Sequence, residues 1–310
     1  MAMRFSMLII RFLVAVVLLQ NILACQKTAE KKVEDEAILS TLSTNIDPKK
    51  PKNYKKIVSI GIPITEIIFA LEEGKRVVAF DINLPTDTTL KLPKVGYGKT
   101  LKSDFILEHS PEAVFSDVKR SPQEVVDEVK QQKIDYFLFS VVEDVPSIKK
   151  LIELIATRLD VIPKGKALAA KMDEDLDKLN QFNRAHKDSL KVLYIHARNK
   201  QSILFSGKYT PADGIIKLTA SKNAGDLYDD MNRITSEAMQ EMNPDVLLMS
   251  AKTIESIGTP DAQGTLQPLF ESKAYQAGRI IVVNDDEVNY FGIRAPKIAY
   301  DLATKLYPKR

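Results

Sequence analysis

Pro163-Lys164-Gly165-Lys166-Ala167-Leu168-Ala169-Ala170-Lys171-Met172-Asp173-Glu174-Asp175-Leu176-Asp177-Lys178-Leu179-Asn180-Gln181-Phe182-Asn183 is the stretch that decides the architecture. Its leading proline suits the first turn of a helix and cannot sit inside a continuous one. A helix from Val145 to Leu159 therefore ends before a second one begins at Pro163. Roughly 20 helical residues reach about 30 Å, the width of a small domain. The second helix reads as a rigid spacer between two lobes.

Strands and helices alternate on both sides of this spacer. Before it come a strand at Lys56–Ile60, a helix through Thr65–Leu71 that Gly74 is expected to stop, and strands at Arg76–Asp81, Ala113–Ser116 and Tyr136–Phe139. A short helix from Ser103 and another over Pro122–Gln132 intervene. After the spacer come strands at Lys191–Ile195 and Ser202–Phe205, a helix over Pro211–Ala220, strands at Asp245–Met249 and Arg279–Val283, and a last helix over Ala295–Leu306. Such alternation indicates largely parallel sheets and an α/β fold of two lobes. Ser103 to Phe115 parallels Ser236 to Leu248. Each copy has a serine placed to cap a helix, a carboxylate (Asp104 or Glu237) and a proline seven residues beyond it. The repeat falls in corresponding parts of the two lobes.

The N-terminus sets the compartment. Arg4 and Arg11 precede or enter a short apolar run, Phe12–Leu19, and Ile22-Leu23-Ala24-Cys25 follows, a signal-peptide pattern too short for a comfortable membrane span. Leu23-Ala24-Cys25 resembles the lipobox of bacterial lipoproteins, which implies cleavage before Cys25 and a lipid on its thiol. Cys25 is the single cysteine, so no intramolecular disulfide forms. Residues 26 to 54 are polar and charged, the composition of a flexible tether. The expected divisions are a signal over 1–24, a lipidated tether over 25–54, an N-terminal lobe over 55–160, the interlobe helix over 161–186 and a C-terminal lobe over 187–310. The chain has 44 basic and 41 acidic residues, and both signal-peptide arginines leave with the signal. A nearly neutral mature protein has no broad electrostatic footprint for nucleic acid.

One loop carries candidate chemistry. In Lys94-Val95-Gly96-Tyr97-Gly98-Lys99-Thr100-Leu101 a tyrosine stands between two glycines, with a cation two residues on. Glycine lets the backbone take positive φ and a bulky ligand approach. A deprotonated phenol is a hard anionic donor suited to ferric iron, and Lys99 favours the phenolate or meets an acidic ligand group. Of the three histidines, His109 is expected to cap helix carbonyls and His186 to be solvated in a polar turn. His196 follows directly on the strand Lys191–Ile195.

These features resemble bacterial substrate-binding proteins of the iron-siderophore, cobalamin and haem class, above all the haem-binding components of ABC importers. The resemblance covers residues 56 to 307. It is carried by Ile57-Val58-Ser59-Ile60-Gly61 with Thr65-Glu66-Ile67, Val95-Gly96-Tyr97, Ser206-Gly207 with Pro211-Ala212-Asp213, Asn223-Ala224, Asn243-Pro244-Asp245, and Phe291-Gly292 with Arg294-Ala295-Pro296. It implies two α/β lobes bridged by one long helix, with ligand in the cleft between them. It implies Tyr97 as the axial ligand of haem iron and His196 as a second ligand from the other lobe. Many members have arginine where Lys99 stands. Ala197-Arg198-Asn199-Lys200 replaces a glycine-rich segment. Arg198, Lys99 and Lys200 are then expected to meet the haem propionates, and Tyr209, Phe205 and Tyr290 to stack on the ring. Asp104 and Glu237, with Glu66 or Glu241 as exposed substitutes, are expected to dock into arginine pockets of two permease subunits. The implied location is the periplasmic side of the envelope or the outer face of the cytoplasmic membrane, lipid-anchored through Cys25.

Competing readings are weaker. The chain lacks a Gly-x-Ser-x-Gly elbow, a phosphate loop, His-Glu-x-x-His and Cys-x-x-Cys, so an enzyme is not expected. A same-fold binder of cobalamin or a ferric siderophore is the alternative. The absence of tryptophan argues against cobalamin, and a loop tyrosine beside few cleft arginines argues against a siderophore. An adhesin does not account for the spacer helix.

Overall fold

Two sheets carry the strands, and the spacer helix joins them. The structure, a computed structural model, describes residues 53–81, 91–186, 189–199, 202–258 and 267–308, with the side chains of 198 and 199 outside that set. The expected signal, Cys25 and most of the tether lie outside the described residues, as do Lys200 and the side chain of Arg198. The first sheet has the order β2-β1-β3-β4, with β1 at Ile57–Ile60, β2 at Val77–Phe80, β3 at Ala113–Asp117 and β4 at Asp135–Phe139. All its pairings are parallel. Helices cross over between the strands, as parallel neighbours require.

The second sheet departs from the parallel expectation. It contains β5 at Lys191–Asn199, β6 at Ser202–Ser206, β7 at Lys222–Asn223, β8 at Met231–Arg233, β9 at Val246–Ser250 and β10 at Ile280–Val283, in the order β10-β9-β5-β6-β8 with β7 beside β5. The β10-β9-β5 half is parallel, whereas β5-β6 and β6-β8 are antiparallel. Residues 200 and 201 are all that separates β5 from β6. Such a short connection joins antiparallel strands only, since a parallel crossover needs a dozen residues or more.

The interlobe helix runs over Ile162–Arg184, within a residue of expectation at each end. Its buried positions, Gly165, Met172 and Leu179, recur every seven residues and make one narrow apolar stripe. A Cβ on Gly165 would collide with that of Ala156, so glycine lets this helix close onto Val145–Arg158. Lys164 Nζ donates to Glu73 Oε1 at 3.0 Å in the first lobe, and Asn183 Nδ2 donates to the Leu218 carbonyl at 2.8 Å in the second. One hydrophobic core runs through Ile57, Phe115, Ile152, Met172, Leu179, Tyr194, Ile215, Leu248 and Leu302, so both lobes share it. Each fully buried aliphatic there contributes about 1.5–3 kcal/mol of transfer free energy. One further hydrophobic cluster lies in each lobe.

Gly74 does not stop the first helix. Ile62–Ala70 ends at Leu71, and Glu72 makes the left-handed turn at φ 61°. The internal repeat has a physical basis. Ser110 and Asn243 are equivalent and both take positive φ, 47° and 39°, just before a proline. The acids after the prolines then mirror each other. Glu112 N–H donates to the Lys56 carbonyl at 2.9 Å, and Asp245 N–H to the Lys191 carbonyl at 2.7 Å. The Asp245 carboxylate accepts from Lys191 N–H, and the Glu112 carboxylate from Lys55 N–H. The expected serine caps are corrected. Thr235 caps the helix Ser236–Met242, and Ser103 is already the first residue of Ser103–Leu107, whose N-cap is Lys102.

Candidate functional site

Tyr97 stands on a turn pinned at both flanks. Val95 N–H donates to the Phe80 carbonyl at 3.0 Å, which extends the edge of β2, and Val95 and Leu101 are buried. Between them Gly96 and Gly98 take φ of 76° and 54°. A Cβ on Gly96 would press on Thr100, whose hydroxyl donates to the Tyr97 carbonyl at 2.9 Å. The turn leaves the Tyr97 ring 46% exposed, with Lys99 exposed beside it.

Sequence reasoning missed the group that covers this ring. The Arg120 guanidinium lies over Tyr97, 4.6 Å from the ring centroid. Arg120 Nη1 donates to Asp81 Oδ2 at 2.8 Å, and the Asp81 side chain is fully buried. Asp81 ends β2, and Arg120 closes the turn after β3, so the sheet brings together residues far apart in sequence. A guanidinium on a tyrosine face is worth about 0.5–2 kcal/mol. Beside this pair two carboxyls are held above their usual range. Burial pushes Asp117 up, opposed by the Lys119 N–H bond and by nearby Lys119 and Arg120. Burial also pushes Glu143 up, opposed by Lys119.

The second lobe faces this corner through Tyr290. Burial first, then Asp286, raises the Tyr290 phenol; Arg120 opposes that, while Tyr97 and Asp81 add to it. Tyr290 therefore lies within electrostatic reach of three residues of the first lobe, and Tyr97 stands where the lobes meet. His196 lies on β5, on the face that carries Tyr194, with its side chain 25% exposed. Its Nδ1 is 3.8 Å from Asp285 Oδ1. Asp285 begins the helix Asp285–Val288, which ends two residues before Tyr290. Tyr97 and His196 thus lie on opposite lobes, at the two ends of a chain of neighbours running through Tyr290 and Asp285–Asp286.

Tyr209 takes φ 61° and is 47% exposed. The motif residues around it hold this turn. Thr210 caps the helix Pro211–Leu218, and buried Asp213 accepts from Asn223 Nδ2 at 3.1 Å, Lys217 Nζ at 2.7 Å and Tyr209 N–H at 3.3 Å. Asn223 Nδ2 also donates to the Gly207 carbonyl, and a Cβ on Gly207 would collide with the Tyr228 carbonyl. Other motif residues lock the lobes together. Arg294 Nε meets Glu66 Oε1 at 2.6 Å, Gly292 packs on the Glu66 carboxylate, and Gly214 packs on Phe291 and the Glu143 carbonyl.

Several expectations are overturned here. Phe205 is fully buried, edge-on to Tyr228, and cannot stack on a cleft ligand, because its β6 position points into the second lobe. His186 stacks on Phe182 with centroids 4.3 Å apart, and its Nδ1 lies 2.9 Å from the Phe182 carbonyl, so it closes the interlobe helix instead of being solvated. Glu66 is engaged by Arg294 and largely covered, not an exposed substitute. Glu241 accepts the Tyr228 hydroxyl at 2.6 Å. Asp104 and Glu237 are exposed in the first turns of their helices. A groove of about 590 Å³ runs beside the interlobe helix near Leu168, Met172 and Arg294. Its lining holds no tyrosine or histidine, so it lacks the ligands that Tyr97 and His196 offer.

The model of a family described as periplasmic binding protein matches residues 57–287, and the chain belongs to that family. YvrC of Bacillus subtilis (strain 168), an ABC transporter substrate-binding lipoprotein, is 27% identical over 297 residues, 92% of this chain and 91% of that one. The periplasmic heme-binding protein RhuT from Roseiflexus sp. RS-1, solved in apo form, superposes with a TM-score of 0.73 at 27% identity, covering 82% of this chain and 98% of RhuT. The periplasmic heme-binding protein BhuT in complex with two hemes gives 0.72 at 26% identity, covering 81% and 97%. HutB of Vibrio cholerae gives 0.71 at 23% identity over 82% and 99%, a likeness of fold. The two α/β lobes with one bridging helix expected from sequence are the observed architecture.

Proposed function

We propose that this periplasmic binding protein takes ferric haem between its lobes and delivers it to an ABC permease. It works outside the cytoplasmic membrane, anchored by lipid on Cys25. The observation that carries the reading is Tyr97, an exposed phenol on a rigid glycine turn at the interlobe rim, under a guanidinium fixed by a buried carboxylate. Two relatives above 25% identity, RhuT and BhuT, are named heme-binding proteins, which supports the same cargo here.

In this reading the Tyr97 oxygen binds the iron, since tyrosinate is a competent haem ligand. Arg120 lays a fixed positive charge over the ring of the ligating tyrosine. His196 provides a nitrogen from the other lobe. Lys99 and Arg198 meet the propionates, with Lys99 acting as a point charge. Tyr209 offers an exposed aromatic face to the macrocycle. Asp104 and Glu237 contact the two permease subunits. The shared core and the Glu66–Arg294 pair keep the lobes in register, so the two ligands meet one cleft.

An absorption titration of the purified protein with haemin, beside cobalamin and a ferric siderophore, tests this. The expected result is a saturating Soret band with tyrosinate charge-transfer features for haemin alone. Saturable binding of cobalamin or the siderophore, with haemin inert, overturns it.

A further inference from the structure

Tyr194 and His196 are two residues apart on β5, so their side chains share one face of the strand. Asp285 lies against both. Its Oδ1 accepts the Tyr194 hydroxyl at 2.6 Å, and its Oδ2 accepts the Ser250 hydroxyl at 2.7 Å. Two short bonds from different strands fix the carboxylate plane. Ser250 has a single proton. With that proton on Asp285, its oxygen accepts Thr253 N–H at 3.0 Å. Thr253 Oγ1 in turn accepts the N–H of Ala197, the residue after His196, at 3.3 Å. The carboxylate is thereby tied to the backbone on which His196 stands. Burial first, and then Asp285 itself, hold the Tyr194 phenol far above its ordinary range, so it remains a donor.

His196 is the unfinished part of this cluster. Its Nδ1 is buried and has no hydrogen-bond partner among the described residues. The nearest carboxylate oxygen, Asp285 Oδ1, is 3.8 Å away, beyond hydrogen-bond length. A buried imidazole nitrogen left unmatched costs about 1–3 kcal/mol. A side-chain shift of about an ångström completes the bond, since Nδ1–H···O contacts are made near 2.9 Å.

We propose that Asp285 is a positioning residue for His196: it accepts the Nδ1 proton, fixes the ring tautomer and leaves the Nε2 lone pair directed at the cleft. The inference rests on the reading of His196 as an iron ligand and gives that ligand its orienting partner. A carboxylate behind a ligating imidazole fixes the ring and raises its basicity. Ser250 keeps the carboxylate from turning away, so the tautomer is set before any cargo arrives, while the Tyr194 hydroxyl competes with the Nδ1 proton for Oδ1.

Nitrogen NMR of the imidazole rings in the ligand-free full chain tests this, with His196 assigned through His196→Gln. The native protein is expected to hold His196 as the Nδ1–H tautomer. Asp285→Asn, with unchanged circular dichroism, is expected to give a mixture of tautomers, and Asp285→Glu to restore the native state in part. Tyr194→Phe removes the competing donor and is expected to sharpen the native tautomer, which keeps the test alive if Asp285→Asn fails to fold. An identical His196 tautomer in wild type, Asp285→Asn and Tyr194→Phe overturns the proposal. With ferrous haem bound, Asp285→Asn is expected to lower the iron–histidine stretching frequency. A wild type that binds no haem defeats the cargo reading and leaves the tautomer result standing.

Discussion

Tyr97 and His196 are presented in opposite ways. The phenol of the first lobe is nearly half exposed on a turn that two positive-φ glycines push outward. The imidazole of the second lobe is recessed on a strand, one nitrogen turned toward Asp285. A residue on a turn is displayed by backbone geometry and needs no partner to hold it there. A residue on a strand is held by its neighbours and becomes available only as they allow. On the proposed reading, the difference predicts an order in which Tyr97 meets the cargo first and His196 completes the site. Tyr97→Ala then has the largest effect. A direct ligand should outweigh the 10–100-fold typical of outer-shell partners, so haem affinity falls by at least about 100-fold. Absorption titration reads this out, and native affinity with an unaltered charge-transfer band would remove Tyr97 from the site.

Arg120→Gln sharpens the same comparison, because its guanidinium covers the exposed Tyr97 ring. Loss of a cation–π contact of about 0.5–2 kcal/mol predicts roughly tenfold weaker haem binding. It also removes one ion-pair partner of the fully buried Asp81 side chain, so folding stability falls by up to about 3 kcal/mol. Arg120→Lys keeps charge and loses the planar face. Intermediate affinity in that variant, measured by titration beside calorimetric melting, would show that both features count.

The sequence was most legible where structure is local or periodic. The interlobe helix was marked by its leading proline and its length of roughly 20 residues. Tyr97 was marked by its glycines. The motif residues signalled the fold, and the structure explains why: Asp213, Asn223 and Gly207 hold a turn, and Glu66, Gly292 and Arg294 lock the lobes. They are scaffold, which is why they identify the architecture better than the chemistry. Arg120 was illegible because its partner Asp81 is 39 residues away on another strand. Asp285 was illegible for the same reason, 91 residues from Tyr194. Phe205 misled because strand-end aromatics read alike whichever way they point, and only the Ile195–Phe205 register turns this one inward. The antiparallel turn from β5 to β6 was visible in the short spacing between the strands and was outweighed by the alternation around it.

His196→Ala tests the recessed side. If His196 is the second ligand, haem affinity falls only a few-fold, about 1 kcal/mol, since Tyr97 still anchors the iron. The spectrum changes more than the affinity does, because the sixth ligand is exchanged for water. Absorption and resonance Raman spectra indistinguishable from wild type would reduce His196 to a structural residue of the Asp285 cluster.

The smallest effect on binding is expected where the two lobes are most alike. Asp104 and Glu237 occupy equivalent first turns of exposed helices, and each repeat ends in a left-handed residue followed by proline. As complements to helix N-termini they are worth about 0.3–1 kcal/mol each, so the double variant Asp104→Ala/Glu237→Ala loses little stability. Haem affinity should stay within about twofold of wild type, since a twofold change is under 0.5 kcal/mol and neither acid belongs to the chain of neighbours that links Tyr97 to His196. Import into liposomes bearing the cognate permease should nevertheless fall. Each single variant should impair import on its own, because one attached lobe leaves the cleft unregistered over the pore. Undiminished import by the double variant would show that the matched acids serve only their own helices, and that the symmetry of the repeat is a folding device alone.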